Sequence, residues 1–218
     1  MVERAERFTL FIDAQNVYNS ARKAFYSSDD SSNYGQINPR LLVDFIISKA
    51  PPGIKRILNE VRIYSGRPDP NKDPRTHAAH MRQCSAWERC GATVITRALR
   101  YPFDWPKTRA QEKGIDVAIA IDFVSFALTK QHDVGILASC DTDLVPALEF
   151  VSVICSEDCG IEVVGFNNTT ELRRLHLRGK KTWCYWIGKS EYDVIADLTN
   201  YGRQEPHAQL TLGIENPI

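Results

Sequence analysis

The 218-residue chain has no net charge, because 27 lysines and arginines balance 27 aspartates and glutamates. No global field draws it to nucleic acid or to an anionic membrane, so any basic surface has to be local. No apolar run is long enough to cross a bilayer. The first seven residues are charged where a secretory leader needs an apolar stretch. Six cysteines, at 84, 90, 140, 155, 159 and 184, are scattered rather than framed. With no leader, that pattern favours reduced thiols and a cytoplasmic location. Cys155 and Cys159 resemble half a zinc site, but no second close pair of Cys or His follows. There is no glycine-rich phosphate loop and no Ser-His-Asp or Cys-His order in a nucleophile setting. Ala14 and Gln15 follow Asp13 where an aspartyl phosphatase carries Asp-x-Asp. Internal repeats and low-complexity segments are also missing.

What is present is an ordinary globular composition, 43% apolar and 25% charged, enough for one good core in a chain of this length. Short β-rich apolar runs predict strands at Phe8–Ile12, Val61–Tyr64, Ala92–Thr96, Val134–Leu137 and Gly160–Phe166. Between them the spacing predicts helices from Val17 to Phe25, from Asn38 with Pro39 at its first position, from Thr76 to Cys90, over Ile115–Leu128 and over 142–156. Thr169–Leu177 reads as a short basic helix, Trp183–Ile187 as an edge strand or packing segment, and Ser190–Leu198 as a closing helix. Alternating strands and helices imply a mainly parallel sheet of about five strands with right-handed crossovers. The organisation expected is a flexible start over 1–6 and one domain over 7–200, with a core to 167, an extension over 168–200 and a loose tail over 201–218.

Three stretches put acids at the ends of core elements. Asp13 follows the first strand, Asp116 sits in the first turn of the 115–128 helix, and Asp141 and Asp143 follow the fourth strand. If strands one and four are neighbours, their ends meet where the strand order reverses, which is where an open α/β sheet binds ligands. Asp141 or Asp143 would equally serve as a helix cap. Clustered carboxylates repel unless protonated or metal-bound. Hard oxygen ligands suit Mg²⁺ or Mn²⁺, ions that bridge phosphate oxygens and activate water. Asn16, one turn beyond Asp13, could orient a water or ligand without adding charge. Asp122 reads as a buried polar group or cap partner, and His77 and His80 as surface or packing residues.

Phe11-Ile-Asp-Ala-Gln-Asn16, Lys113-Gly-Ile-Asp-Val-Ala-Ile-Ala-Ile-Asp122 and Ser139-Cys-Asp-Thr-Asp-Leu144 together resemble the NYN domain, a PIN-like ribonuclease family, in its LabA-like branch. The likeness covers about residues 7–167, with order and spacing both agreeing. It implies a PIN-like three-layer α/β/α sandwich and a Mg²⁺- or Mn²⁺-dependent endoribonuclease. It implies metal ligands at Asp13, Asp116, Asp141 and Asp143, with Asn16 in support. Cys140 stands where the family usually has glycine, which would cost about 1 kcal/mol if that backbone needs a positive φ. Lys113 matches the family's lysine and either contacts phosphate or faces solvent.

Two local basic segments are candidate substrate contacts. One holds Arg97, Arg100, Lys107, Arg109 and Lys113, interleaved with Tyr101, Phe103 and Trp105; the other holds Arg173, Arg174, Arg178, Lys180 and Lys181. Arg67, at the end of strand two, is a third candidate. Cations follow phosphates and aromatics stack on unpaired bases, so the expected partner is single-stranded RNA. The bland alternative is solvated charge with the aromatics packed inward. No membrane partner is expected, and a homo-oligomer stays open. The rival readings are a non-catalytic PIN-like module that binds RNA or a protein, and the nuclease half of a toxin–antitoxin pair.

Overall fold

The structure is a computed structural model that describes residues 4–155, 159–168 and 172–203. The first strand, β1 (Arg4–Asp13), is central, and every residue from Phe8 to Asp13 is buried. That fits a parallel strand covered on both faces, which reads as a continuous apolar run. Two helices follow, α1 (Ala14–Phe25) and α2 (Pro39–Ser48), and then β2 (Ile54–Arg67) beside β1. Next come α3 (Pro74–Arg89) and β3 (Ala92–Ala98), the outer strand. A long connection leads to α4 (Ile115–Leu128), and β4 (Val134–Ala138) pairs with the other side of β1. After α5 (Val145–Ile154), β5 (Gly160–Asn167) pairs with β4. All these pairings are parallel, in the order β3-β2-β1-β4-β5.

Two further strands join β5: β6 (Leu172–Arg173), antiparallel to its last two residues, and β7 (Trp183–Ile187), parallel to it. A last helix, α6 (Lys189–Ile195), closes the described chain. One core packs Val17 of α1, Leu42 of α2, Trp87 of α3 and Tyr192 of α6 against one face of the sheet. The other packs Ile119 and Phe123 of α4 and Leu148 of α5 against the opposite face, with Phe11 and Tyr64. The result is the expected α/β/α sandwich. Among the described residues no helix is long and apolar enough to cross a membrane. All six cysteines are free, and no cysteine joins a metal-ligating group among the described residues.

Three expectations need correction. Residues 4–6 are not a loose start: they pair with Ile54–Arg56 in the sheet, and the buried Arg56 side chain pairs with both Glu6 of β1 and Glu162 of β5. Strand two is likewise longer than Val61–Tyr64. The basic helix at 169–177 is absent from residues 172–177, and residues 169–171 lie outside the described residues. Leu172 and Arg173 form β6, and beyond them Leu175 is buried, His176 exposed and Leu177 buried. That is a two-residue period, so Leu175 and Leu177 reach the α4–α5 core from extended chain. Part of the expected 201–218 tail, from 204 onward, also lies outside the described residues.

Candidate metal centre

Parallel pairing of β1 with β4 sets the carboxyl ends of both strands side by side, Ile12 opposite Ala138. Strands β2 and β3 lie to one side and β5 to the other, so this is where the order reverses. Asp13 ends β1 and caps α1, its Oδ1 accepting from the Asn16 N–H at 3.0 Å. Ser139, buried after β4, donates to Asp13 Oδ2 at 3.2 Å and accepts from the Asp141 N–H at 3.1 Å. One hydroxyl thus ties the two acids together. Asp141 caps a 3₁₀ turn, Thr142–Leu144, by accepting from the Asp143 N–H at 3.0 Å. Asp116 comes from the opposite layer, in the first turn of α4. That helix starts from Gly114 in the left-handed region at φ 76°. That backbone favours glycine, and the Arg97 guanidinium lies 3.3 Å from the place a Cβ would take there.

Oxygens of Asp13, Asp116 and Asp141 all lie within 4.8 Å of one another. Burial is the main cause that pushes the Asp13 carboxyl up to about 6, with the Asp116 and Asp141 charges adding to it and the bonds from Asn16 and Ser139 opposing it. Asp143 is not one of the three; its side chain is exposed, and its backbone N–H holds Asp141 in place. Two acids two residues apart across a cap and a 3₁₀ turn point in different directions. Asn16 is near the cluster, but its Oδ1 is already used: it accepts from the Cys140 N–H at 2.8 Å and from Ser20 Oγ at 3.3 Å. Its observed work is to fasten α1 to the turn after β4. The backbone of Cys140 is not left-handed, Lys130 being the only non-glycine residue with positive φ among those described. Cysteine in place of glycine therefore carries no such strain.

A fourth acid escaped the reading of the sequence. Glu112, in the long connection before α4, accepts from the Gly66 N–H at 2.5 Å, and the Gln15 amide can donate to both of its oxygens, at 3.2 and 3.1 Å. A Cβ at Gly66 would meet Glu112 Cγ at 2.7 Å and Leu99 Cδ2 at 2.4 Å, so only glycine admits this approach. Burial, with the Asp13 and Asp116 charges adding, pushes Glu112 up to about 7. The one available signal was its place next to Lys113-Gly114.

The expected cations separate. Arg67, Arg109 and Lys113 are exposed, and Arg109 lines a groove of about 1070 Å³ that begins beside the acids at Ala14, Gln15 and Glu112. Arg173 lies in β6, where its carbonyl oxygen accepts from Cys140 Sγ at 3.6 Å. Arg174 lies over the Trp186 ring at 5.7 Å and donates to the Thr182 carbonyl at 3.3 Å. Arg178 is exposed, while Lys180 and Lys181 just beyond it line a hollow at the amino ends of β4 and β5, away from the acids. In the other basic segment Tyr101 packs inward, edge-on to Trp105 at 4.9 Å, and only Phe103 is fully exposed. Asp122 is only partly buried, and acts as a polar partner, accepting from Arg62 at 2.8 Å and Tyr64 at 2.7 Å. His80 packs in the interior, 3.1 Å from Ser65 Oγ.

An α/β/α sandwich with acids gathered from β1, α4 and the end of β4 at the reversal of strand order is PIN-like in class. Within that class the chain belongs to the NYN domain family, whose model matches residues 7–178; the family is generally one of nucleases. A crystal structure of a protein of unknown function from Vibrio parahaemolyticus is similar at 18% identity and a TM-score of 0.49, over 73% of this chain and 82% of that one. No curated protein matches the chain.

Proposed function

We propose that the protein is a divalent-metal-dependent endoribonuclease that hydrolyses phosphodiester bonds of single-stranded RNA. The observation that carries the reading is the meeting of Asp13, Asp116 and Asp141 within 4.8 Å. Three hard oxygen donors at that spacing, one of them buried, fit Mg²⁺ or Mn²⁺ better than a soft ion. When bound, such an ion supplies charge neutralisation at a scissile phosphate and acidifies water. The chain does the rest. Asn16 and Ser139 hold Asp13 so that it cannot turn away, and the Asp143 N–H fixes Asp141. Asp143, exposed at the rim, is assigned to the outer side of the same centre. Glu112, fastened by Gly66 at the mouth of the groove, stands where a proton is taken up or released. Lys113, Arg67 and Arg109 surround this edge as phosphate contacts, and Arg173 approaches it from β6. Free thiols throughout suit action in the cytoplasm.

Asp141→Asn is expected to lower cleavage of an RNA oligonucleotide by at least about a hundredfold, the size of effect seen when one charge-stabilising group is lost. The fold should stay intact, and EDTA should act in the same direction, reversibly. Equal cleavage by wild type and variant would assign the activity elsewhere. RNA bound by wild type and never cleaved would favour the non-catalytic module.

A further inference from the structure

We infer that the groove beside the acids is the seat of an unpaired RNA segment, two or more nucleotides on one side of the scissile phosphate. The inference rests on the endoribonuclease reading. At about 1070 Å³ the groove lies just above the roughly 300–1,000 Å³ typical of small-ligand sites, so it holds more than one base. It starts at Gln15 and Glu112 and runs outward between α1, the 31–37 loop and α3. Its lining has the three chemistries a nucleotide needs. Tyr18 and Leu99, both partly exposed, present apolar surface to base faces. Asn19 and Asn33 offer amides to base edges. Arg75 and Arg109 are exposed, and among the described residues neither has an ion-pair partner, so both guanidinium groups are available to phosphates.

Both rims are held open. Arg22 donates to the carbonyls of Ser27, Asp30, Ser31 and Tyr34, at 2.7 to 3.2 Å, and so ties down the loop on one side. Arg82 Nε donates to the Tyr201 carbonyl at 2.8 Å and ties down the chain on the other. A groove fixed this way loses little entropy when filled. A base already paired in a duplex cannot turn its face or edge to the groove's lining, which selects single strands.

The test is fluorescence anisotropy of a labelled RNA hexanucleotide on the full chain in Mg²⁺, with Asp141→Asn as common background so that binding is read without cleavage. The background should bind the single strand at least about tenfold tighter than the same sequence in a duplex. Adding Arg75→Ala and Arg109→Ala should weaken binding and lower the slope of log affinity against log salt by about 1.4, at about 0.7 per lost contact. Ala79→Trp, which fills the groove from α3, should abolish binding, whereas Ala79→Ser should not. Thermal melts confirm that each variant is folded. Unchanged affinity and slope in the filled and double-arginine variants, while wild type still cleaves RNA, would overturn the groove and leave the function standing. Equal affinity for duplex would overturn it too. No binding in the background and no cleavage by wild type would remove both.

Discussion

The two ends of the central sheet both concentrate charge, and they treat it in opposite ways. At the amino end Arg56, with its side chain 1% exposed, pairs with Glu6 and Glu162, and Tyr185 donates to Glu162 at 2.7 Å. Every carboxylate there has a cation or a hydroxyl in contact. At the carboxyl end Asp13, Asp116 and Asp141 converge, and among the described residues their hydrogen bonds come from backbone N–H groups and one serine hydroxyl. Buried charge is tolerated when it is paired. The first group is therefore an element of the fold, and the second is left with the repulsion that the proposed ion would relieve.

The largest effect should come from breaking the compensated end. Arg56→Ala leaves Glu6 and Glu162 facing each other without a counter-ion and should cost about 3–5 kcal/mol, read as a lower denaturation midpoint. Adding Glu6→Gln and Glu162→Gln should recover much of that loss. If Arg56→Ala alone is neutral, the cluster contributes nothing. Next in size, the carboxyl end should respond to metal. Mn²⁺ at a hundredfold excess over its dissociation constant should stabilise wild type by about 2.7 kcal/mol, and Asp141→Asn much less, in a thermal melt. A metal-indifferent melt would leave the acids as caps.

Smaller again, Asp141→Asn should stabilise the metal-free protein by about 1 kcal/mol, as relief of repulsion at a functional site does. Asparagine caps almost as well as aspartate, so capping alone predicts no change. The smallest effect is in the pH profile. Asp13, at about 6, and Glu112, at about 7, sit above their unfolded values. The native state therefore holds extra protons, and their contribution to stability falls as pH rises from about 4 to 7. Burial holds His80 and His132 down at about 4, so their contribution is lost as pH falls from about 6.5 to 4. In metal-free wild type the two trends oppose. In Asp13→Asn, Glu112→Gln the opposing trend of these two acids is removed, and stability should climb more steeply with pH across that window in a denaturant titration. A profile as flat as wild type would mean the two acids titrate normally.

Reading acids at the ends of core elements from the sequence picked out Asp13 and Asp141, which follow strands that run at once into helical turns, and Asp116, in the first turn of α4. Residues 172–177 were misread because a dense basic run hides the two-residue period of Leu175 and Leu177, and packing against the α4–α5 core selects extended chain. Which of Asp141 and Asp143 faces the cluster depends on a 3₁₀ turn that the motif does not specify. Glu112 was out of reach for a different reason: it lies in an irregular connection whose path is set by the Arg100–Gln111 bridge and the Gly66 N–H.

Local patterning, then, was sufficient for the layers, the parallel strands and the acids that end β1 and β4, since periodicity and strand-to-helix junctions are written along the chain. The pairing of β1 with β4, the unequal roles of Asp141 and Asp143, the recruitment of Glu112 and the groove were settled only by packing. Each depends on contacts between residues far apart in sequence, and no local preference encodes them.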